Sequence, residues 1–149
     1  MKINSIIILL VVIWLSPSFA FASWIKLSPE ELIEQSKLAV IGEFIGTTRL
    51  MTQKTGKNLI AGIIKVDDFL DGSVSDDFLL IVIGHEGDGL ISTTINFKKG
   101  QKGLWLLQLY SPDNPVLYSA SQPQQFTPSS DLATINELKN LLIEHKEHN

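Results

Sequence analysis

His85-Glu86-Gly87-Asp88-Gly89 sets an imidazole beside two carboxylates in a glycine-rich stretch. Imidazole and carboxylate together can hold zinc, and a His–carboxylate pair can move a proton. His85, Glu86 and Asp88 are therefore the candidate metal ligands, and a metal binder or metal-dependent enzyme is one reading of the chain. The helical H-E-x-x-H spacing, which stacks two imidazoles on one face, fails because position 89 is glycine. A polar loop is the plainer account.

Asp67, Asp68, Asp71, Asp76 and Asp77 are the densest acidic run. Laid on a calcium loop starting at Asp67, Asp71 and Gly72 take the fifth and sixth places. The third and twelfth places are then Phe69 and Phe78, so two ligands are missing. Charges that blunt strand ends against aggregation are the simpler reading. His145 and His148 lie three apart with Glu144 and Glu147 beside them, a spacing that shares one helix face. Basic groups at a helix C-terminus also follow from the macrodipole alone. Ser119 and Ser121 lack an adjacent acid–base partner, and there is no G-x-S-x-G elbow. No catalytic residue and no cofactor is assigned.

Lys98, Lys99 and Lys102 are the basic cluster, with Trp105 and Tyr110 nearby in sequence. Small barrels can track phosphates with lysines and stack bases on aromatics. A net charge of −4 argues instead for a solvated turn, or for an interaction surface that meets an acidic patch on a partner. Trp24 is a further candidate for contact, since exposed aromatics favour interfaces. Packing of Trp24 on the first helix is its more ordinary fate.

The elements that carry these residues follow from composition and pattern. The 149 residues, 44% hydrophobic, fit one domain that buries roughly two-thirds of its unfolded surface. The absence of cysteine removes disulfides, thiolate nucleophiles and Cys-ligated metals. A pI near 5.3 argues against a phosphate-neutralising role and hence against nucleic acid as partner.

Lys2, the apolar run Ile6–Leu15, the break at Ser16-Pro17 and the small residues Ala20 and Ala22 follow the order of a secretory signal peptide. Cleavage after Ala22 is expected, leaving residues 23–149 as a single domain in the periplasm or outside the cell. Pro17 interrupts the run well short of the ~20 residues that span a membrane, so membrane contact is expected only through an uncleaved signal.

Ser28-Pro29-Glu30-Glu31 predicts a capped helix with Leu32, Ile33 and Leu38 on its apolar face. Strands are expected over Leu38–Thr48, Leu59–Leu70, Phe78–Ile83, Leu104–Tyr110 and Val116–Ala120, with a weaker one over Leu90–Phe97. Ile60, Ile63, Ile64 and Val66 are expected mostly inward on the second strand. Gly42 and Gly46 mark bulges in the first. Turns are expected at Thr52–Asn58, Asp71-Gly72, Gly84–Gly89, Lys98–Gly103 and Pro112–Pro115. Ser129, Ser130 or Asp131 caps a last helix with Leu132, Ile135, Leu138, Leu141 and Leu142 as its stripe, and Glu144–Asn149 as a fraying tail. The expected fold is mainly β: a small OB-fold-like β-barrel of about five antiparallel strands with a helix at each end.

Four stretches in this order carry a resemblance: SPEELIEQSKLAVIGEFIG, IIKVDDFLDG, FKKGQKGLWLLQL and YSASQPQQF. The chain resembles the bacterial exported relatives of the tissue-inhibitor-of-metalloproteinases-like, or netrin-like, β-barrel domains over roughly residues 30–126. Gly42, Gly72 and Gly100 match glycines of that pattern, all at structural positions. The expected function is a non-enzymatic binding module whose partner is another envelope or extracellular protein; a protease-modulating role is what the resemblance alone implies. The animal inhibitors chelate zinc through an N-terminal cysteine and are braced by disulfides. This chain has no cysteine, so that route does not carry over. The loops Met51–Asn58 and Gly84–Gly89 are where a rigid scaffold would present binding residues.

Overall fold

The computed structural model describes residues 26–51, 58–85 and 97–148. The signal segment with Ala20 and Ala22, together with Trp24, Glu86, Asp88 and the expected strand from Leu90 to Asn96, lies outside the described residues.

Helix α1 (Pro29–Gln35) begins where the sequence predicts. The Ser28 hydroxyl accepts from the Glu31 N–H, and the Glu31 carboxylate accepts from the Ser28 N–H at 2.7 Å. That reciprocal pair satisfies two backbone donors that the first turn would otherwise orphan. Leu32 and Ile33 are buried beneath it, but Leu38 belongs to the next element. The helix stops at Gln35 because the chain turns extended at Ser36.

Six strands follow among the described residues: β1 (Leu38–Met51), β2 (Asn58–Asp71), β3 (Phe78–His85), β4 (Gln101–Ser111), β5 (Asn114–Ser119) and β6 (Phe126–Pro128). A single 3-10 turn (Pro123–Gln125) precedes β6, and helix α2 (Leu132–His148) closes the described chain. The fold is mainly β, a mixed six-stranded sheet with two helices.

Hydrogen bonding runs β1–β2–β3–β5–β4, and β4 pairs in turn with both β1 and β6. The expectation of antiparallel strands throughout is corrected at one place: β3 and β5 are parallel, with Leu80 opposite Leu117. Parity requires this. Five strands paired in a cycle cannot alternate direction at every step, so one neighbouring pair must run the same way. The sixth strand was not legible, being three residues long and ending in proline.

The register of β1 on β2 slips between Phe44 and Gly46, where Ile45 is the extra residue on β1 beside the expected Gly46 bulge; near Gly42, and between Ala39 and Val40, the extra residues are instead Asp67 and Leu70 on β2. Bulges raise the local twist and let one strand serve two neighbours. On β2 only Ile64 of the four expected inward residues is fully buried; Ile60, Ile63 and Val66 are half-buried, and Leu59 and Ala61 are buried instead.

Two apolar cores result. One lies among the strands, with Val40, Phe44, Ile64, Ile81, Trp105 and Leu107. The other lies between strands and helices, where Leu32, Ile33, Leu104, Leu106, Ile135, Leu138 and Leu142 meet. Alternation along β4 sends Trp105 and Leu107 to the first core and Leu104 and Leu106 to the second. Asp131 caps α2 by accepting from the Thr134 N–H at 3.2 Å. Leu132 does not join the expected stripe and is 65% exposed. It occupies the first helical position, before the apolar face has turned inward. The helix continues through His148 rather than fraying from Glu144. Lys146 anchors that last turn, donating to the Leu70 carbonyl at 2.6 Å and lying 3.3 Å from the Asp71 carboxylate.

Candidate functional site

Strand β1 has two different halves. From Ala39 to Phe44 it is paired on both sides, with β2 and with β4. Beyond Phe44 its pairing with β4 ends, while its ladder with β2 continues to Met51 opposite Asn58. The β1–β2 hairpin therefore projects past β4, supported on its far side by β3 up to Leu59 opposite His85. The sequence of the projecting half, Gly46-Thr-Thr-Arg-Leu-Met51, explains its form. Threonines favour the extended backbone, and Thr47, Arg49 and Met51 alternate outward as exposed residues. Met51 is 85% exposed, the most exposed large apolar side chain among the described residues.

The basic turn sits at the root of this projection. Gly100 adopts φ +86°, and its N–H donates to the Phe44 carbonyl at 2.8 Å. Gln101 closes the turn from both ends: its N–H donates to the Lys98 carbonyl, and its side-chain oxygen accepts from the Lys98 N–H. Lys98 and Lys99 are exposed there. Lys102 is engaged instead, 3.1 Å from the Glu43 carboxylate on the neighbouring strand. That hydrogen-bonded partner, with Asp67 adding attraction, raises the Lys102 pKa above its usual 10.5.

Beneath the root Phe44 and Trp105 are buried against the half-buried Phe97 and Phe126. Trp105 is fully buried and donates its indole N–H to the Gly42 carbonyl at 3.1 Å. Its ring lies 4.3 Å from Phe126, 5.0 Å from Phe97 and 6.5 Å from Phe44, centroid to centroid. Trp105 is thus a core anchor and cannot stack a base. Tyr110, near the other end of β4, is exposed.

The described histidine and acidic candidates sit on separate elements. His85 is the last residue of β3, and Glu86 and Asp88 lie outside the described residues. Asp67, Asp68 and Asp71 are in β2, whose extended backbone does not wrap a cation as a calcium loop does. Asp71 is taken by Lys146. His145 lines a shallow hollow of about 250 Å³ between the helices with Glu30, Glu34 and Glu144, over Ile33 and Leu141. Among the described residues no group of three or more His or acidic side chains is placed to hold a metal ion. Ser119 ends β5, and the Ser121 hydroxyl donates to Gln125.

One feature had no signal in the sequence. Gln124 grips the backbone of Leu27, 97 positions away: its amide oxygen accepts from the Leu27 N–H at 3.1 Å, and its amide nitrogen donates to the Leu27 carbonyl at 2.9 Å. Beside this clamp is a groove of about 320 Å³ lined by Leu27, Pro29, Leu32, Phe126, Pro128 and Leu138.

No protein-family model matches the chain, and no curated protein matches it at a significant level.

Proposed function

We propose that this chain is an exported, non-enzymatic protein-interaction module built on an OB-like barrel. The cycle of pairings through β1, β2, β3, β5 and β4 supports the barrel reading, since a sheet whose first strand also bonds its last has no open edge over that length. The observation that carries the interaction reading is the β1–β2 hairpin, which runs past the end of the β4 pairing and carries an 85%-exposed methionine. Exposed methionine on a rigid support is a common contact residue, because its unbranched, polarisable side chain fits irregular apolar surfaces. Lys98 and Lys99 at the hairpin root give the surface a cationic margin suited to an acidic partner.

The signal-like segment supports action in the periplasm or outside the cell. The resemblance to netrin-like domains extends the proposal to modulation of a protease, with the cysteine route excluded by composition.

The test is a cross-linking pull-down with residues 23–149 as bait against envelope and medium of the producing cell. One reproducible partner, kept by a His85→Ala, Glu86→Ala, Asp88→Ala variant and lost on Met51→Asp, is the expected result. Metal retained through purification and lost in the triple variant, with no protein captured, would transfer the function to the His85 loop.

A further inference from the structure

We propose that the sheet face formed by Lys65 of β2, Phe78 of β3, Leu117 of β5 and Tyr110 of β4 binds the same face of a second copy of this chain. The Lys65 ammonium of each copy then meets Tyr110 and Asp113 of the other.

Pairing and alternation bring these residues together. Ile81 and Tyr118 are opposite one another and both enter the strand core, so Leu80 and Leu117, also opposite one another, take the other face. Phe78, two residues before Leu80, shares that face, and Lys65 stands directly opposite Phe78. Leu109 packs on the strand core opposite Tyr118, so Tyr110 is turned to the other face as well. Nearer the start of β4 the helices cover that face through Leu104 and Leu106. At Phe78 and Tyr110 it meets solvent: the two side chains are 52% and 41% exposed. Lys65 and Asp113 are exposed too.

The order of charges selects the occupant. Across β2, β3, β5 and β4 the row begins on a cation, passes over Phe78 and Leu117, and ends on an aromatic ring beside the Asp113 carboxylate of the β4–β5 turn. A row with a cation at one end and its complement at the other is matched by a copy of itself. A two-fold axis parallel to the strands, midway between β3 and β5, stacks β2 of one copy on β4 of the other and β3 on β5. Each contact is then made twice, as an isologous interface requires. Lys65 gains a carboxylate and a ring face, and Phe78 covers Leu117 of the other copy. Within one copy β2 and β4 are three strand spacings apart on this side, about 14 Å, so Lys65 cannot make these contacts internally. Glu43, opposite Lys65 on β1, is bonded to Lys102. Asn58, opposite Met51, is about 23 Å of strand away from Lys65, so this contact and the recognition proposed at Met51 stand or fail separately.

Sedimentation velocity of the protein purified from the producing cell, from about 1 μM to about 1 mM, should show a monomer giving way to a dimer that weakens with salt. Phe78→Asp should raise the dimer dissociation constant about tenfold or more, as loss of a central contact does. Lys65→Glu and Asp113→Lys should each raise it several-fold. Both together in one chain should return it to within about threefold of the wild type, because each exchanged charge again meets its opposite in the other copy. Leu132→Asp, at an exposed apolar residue of α2, should leave it unchanged. A monomer throughout, species larger than a dimer, a dimer indifferent to Phe78→Asp or lost on Leu132→Asp, or a double variant that fails to recover overturns the proposal. Should circular dichroism show Phe78→Asp to be unfolded, the charge exchange decides alone, since both of its positions are exposed.

Discussion

At the scale of single residues, two side chains set how this protein responds to alkali. Lys102 is held charged by Glu43, and the phenol of Tyr118 is held neutral by burial, so both pKa values are raised in the folded state. Each group therefore binds more protons folded than unfolded. Their stabilisation is complete below the ordinary values of 10.5 and 10.0 and is lost as pH climbs through the raised ones. Urea unfolding should accordingly give a lower midpoint at about pH 11 than at about pH 9. Tyr118→Phe and Glu43→Gln should each flatten that decline, the second only in low salt because the pair is exposed. A decline of unchanged steepness in both variants would contradict the assignment. Local chemistry of this kind was partly legible. The capping box at Ser28 is a contiguous pattern and could be read directly. Lys102 read as one of three equivalent lysines, because its partner is 59 positions away in sequence and adjacent only across the β1–β4 ladder.

At the scale of elements, β6 depends on the absence of a side chain at Gly103. A Cβ there would collide with the Thr127 carbonyl and lie 2.8 Å from the Phe126 ring, both on β6. Gly103→Ala should cost about 1–3 kcal/mol, the usual range for overpacking, and should selectively raise amide exchange at Phe126 and Thr127. Equal exchange there in wild type and variant would mean that β6 is not held by this approach. Strands β1 to β5 were legible because each holds an apolar run between turn signals, although Gln101–Gly103 and Asn114-Pro115, read as turns, already belong to β4 and β5. What could not be read was which strand neighbours which. Nothing local in Leu38–Phe44 announces that its second partner is Gln101–Leu107, or that β5 returns parallel to β3. For the same reason Trp105, beside a lysine cluster in sequence, could be counted with the binding residues although the fold seals it among Phe44, Phe97 and Phe126.

At the scale of the whole molecule, the proposed division of labour is between a bonded cycle of strands and the end of the β1–β2 hairpin that runs past β4. Two cores share β4, one on each face, so the sheet is braced from within and by both helices. In that proposal, stiffness at the root would let the exposed Met51 act in recognition with little ordering entropy lost on binding. Thr52–Asn58 reads in sequence as a polar loop between strands, but that β1 runs on past β4 as far as Met51 follows from pairing alone. The most direct test is a photo-cross-linking amino acid placed at position 51 in the producing cell, with position 132 as an exposed apolar control on α2. The account predicts one discrete protein adduct from position 51 and none from position 132. No adduct from 51, or the same adducts from both positions, would contradict it.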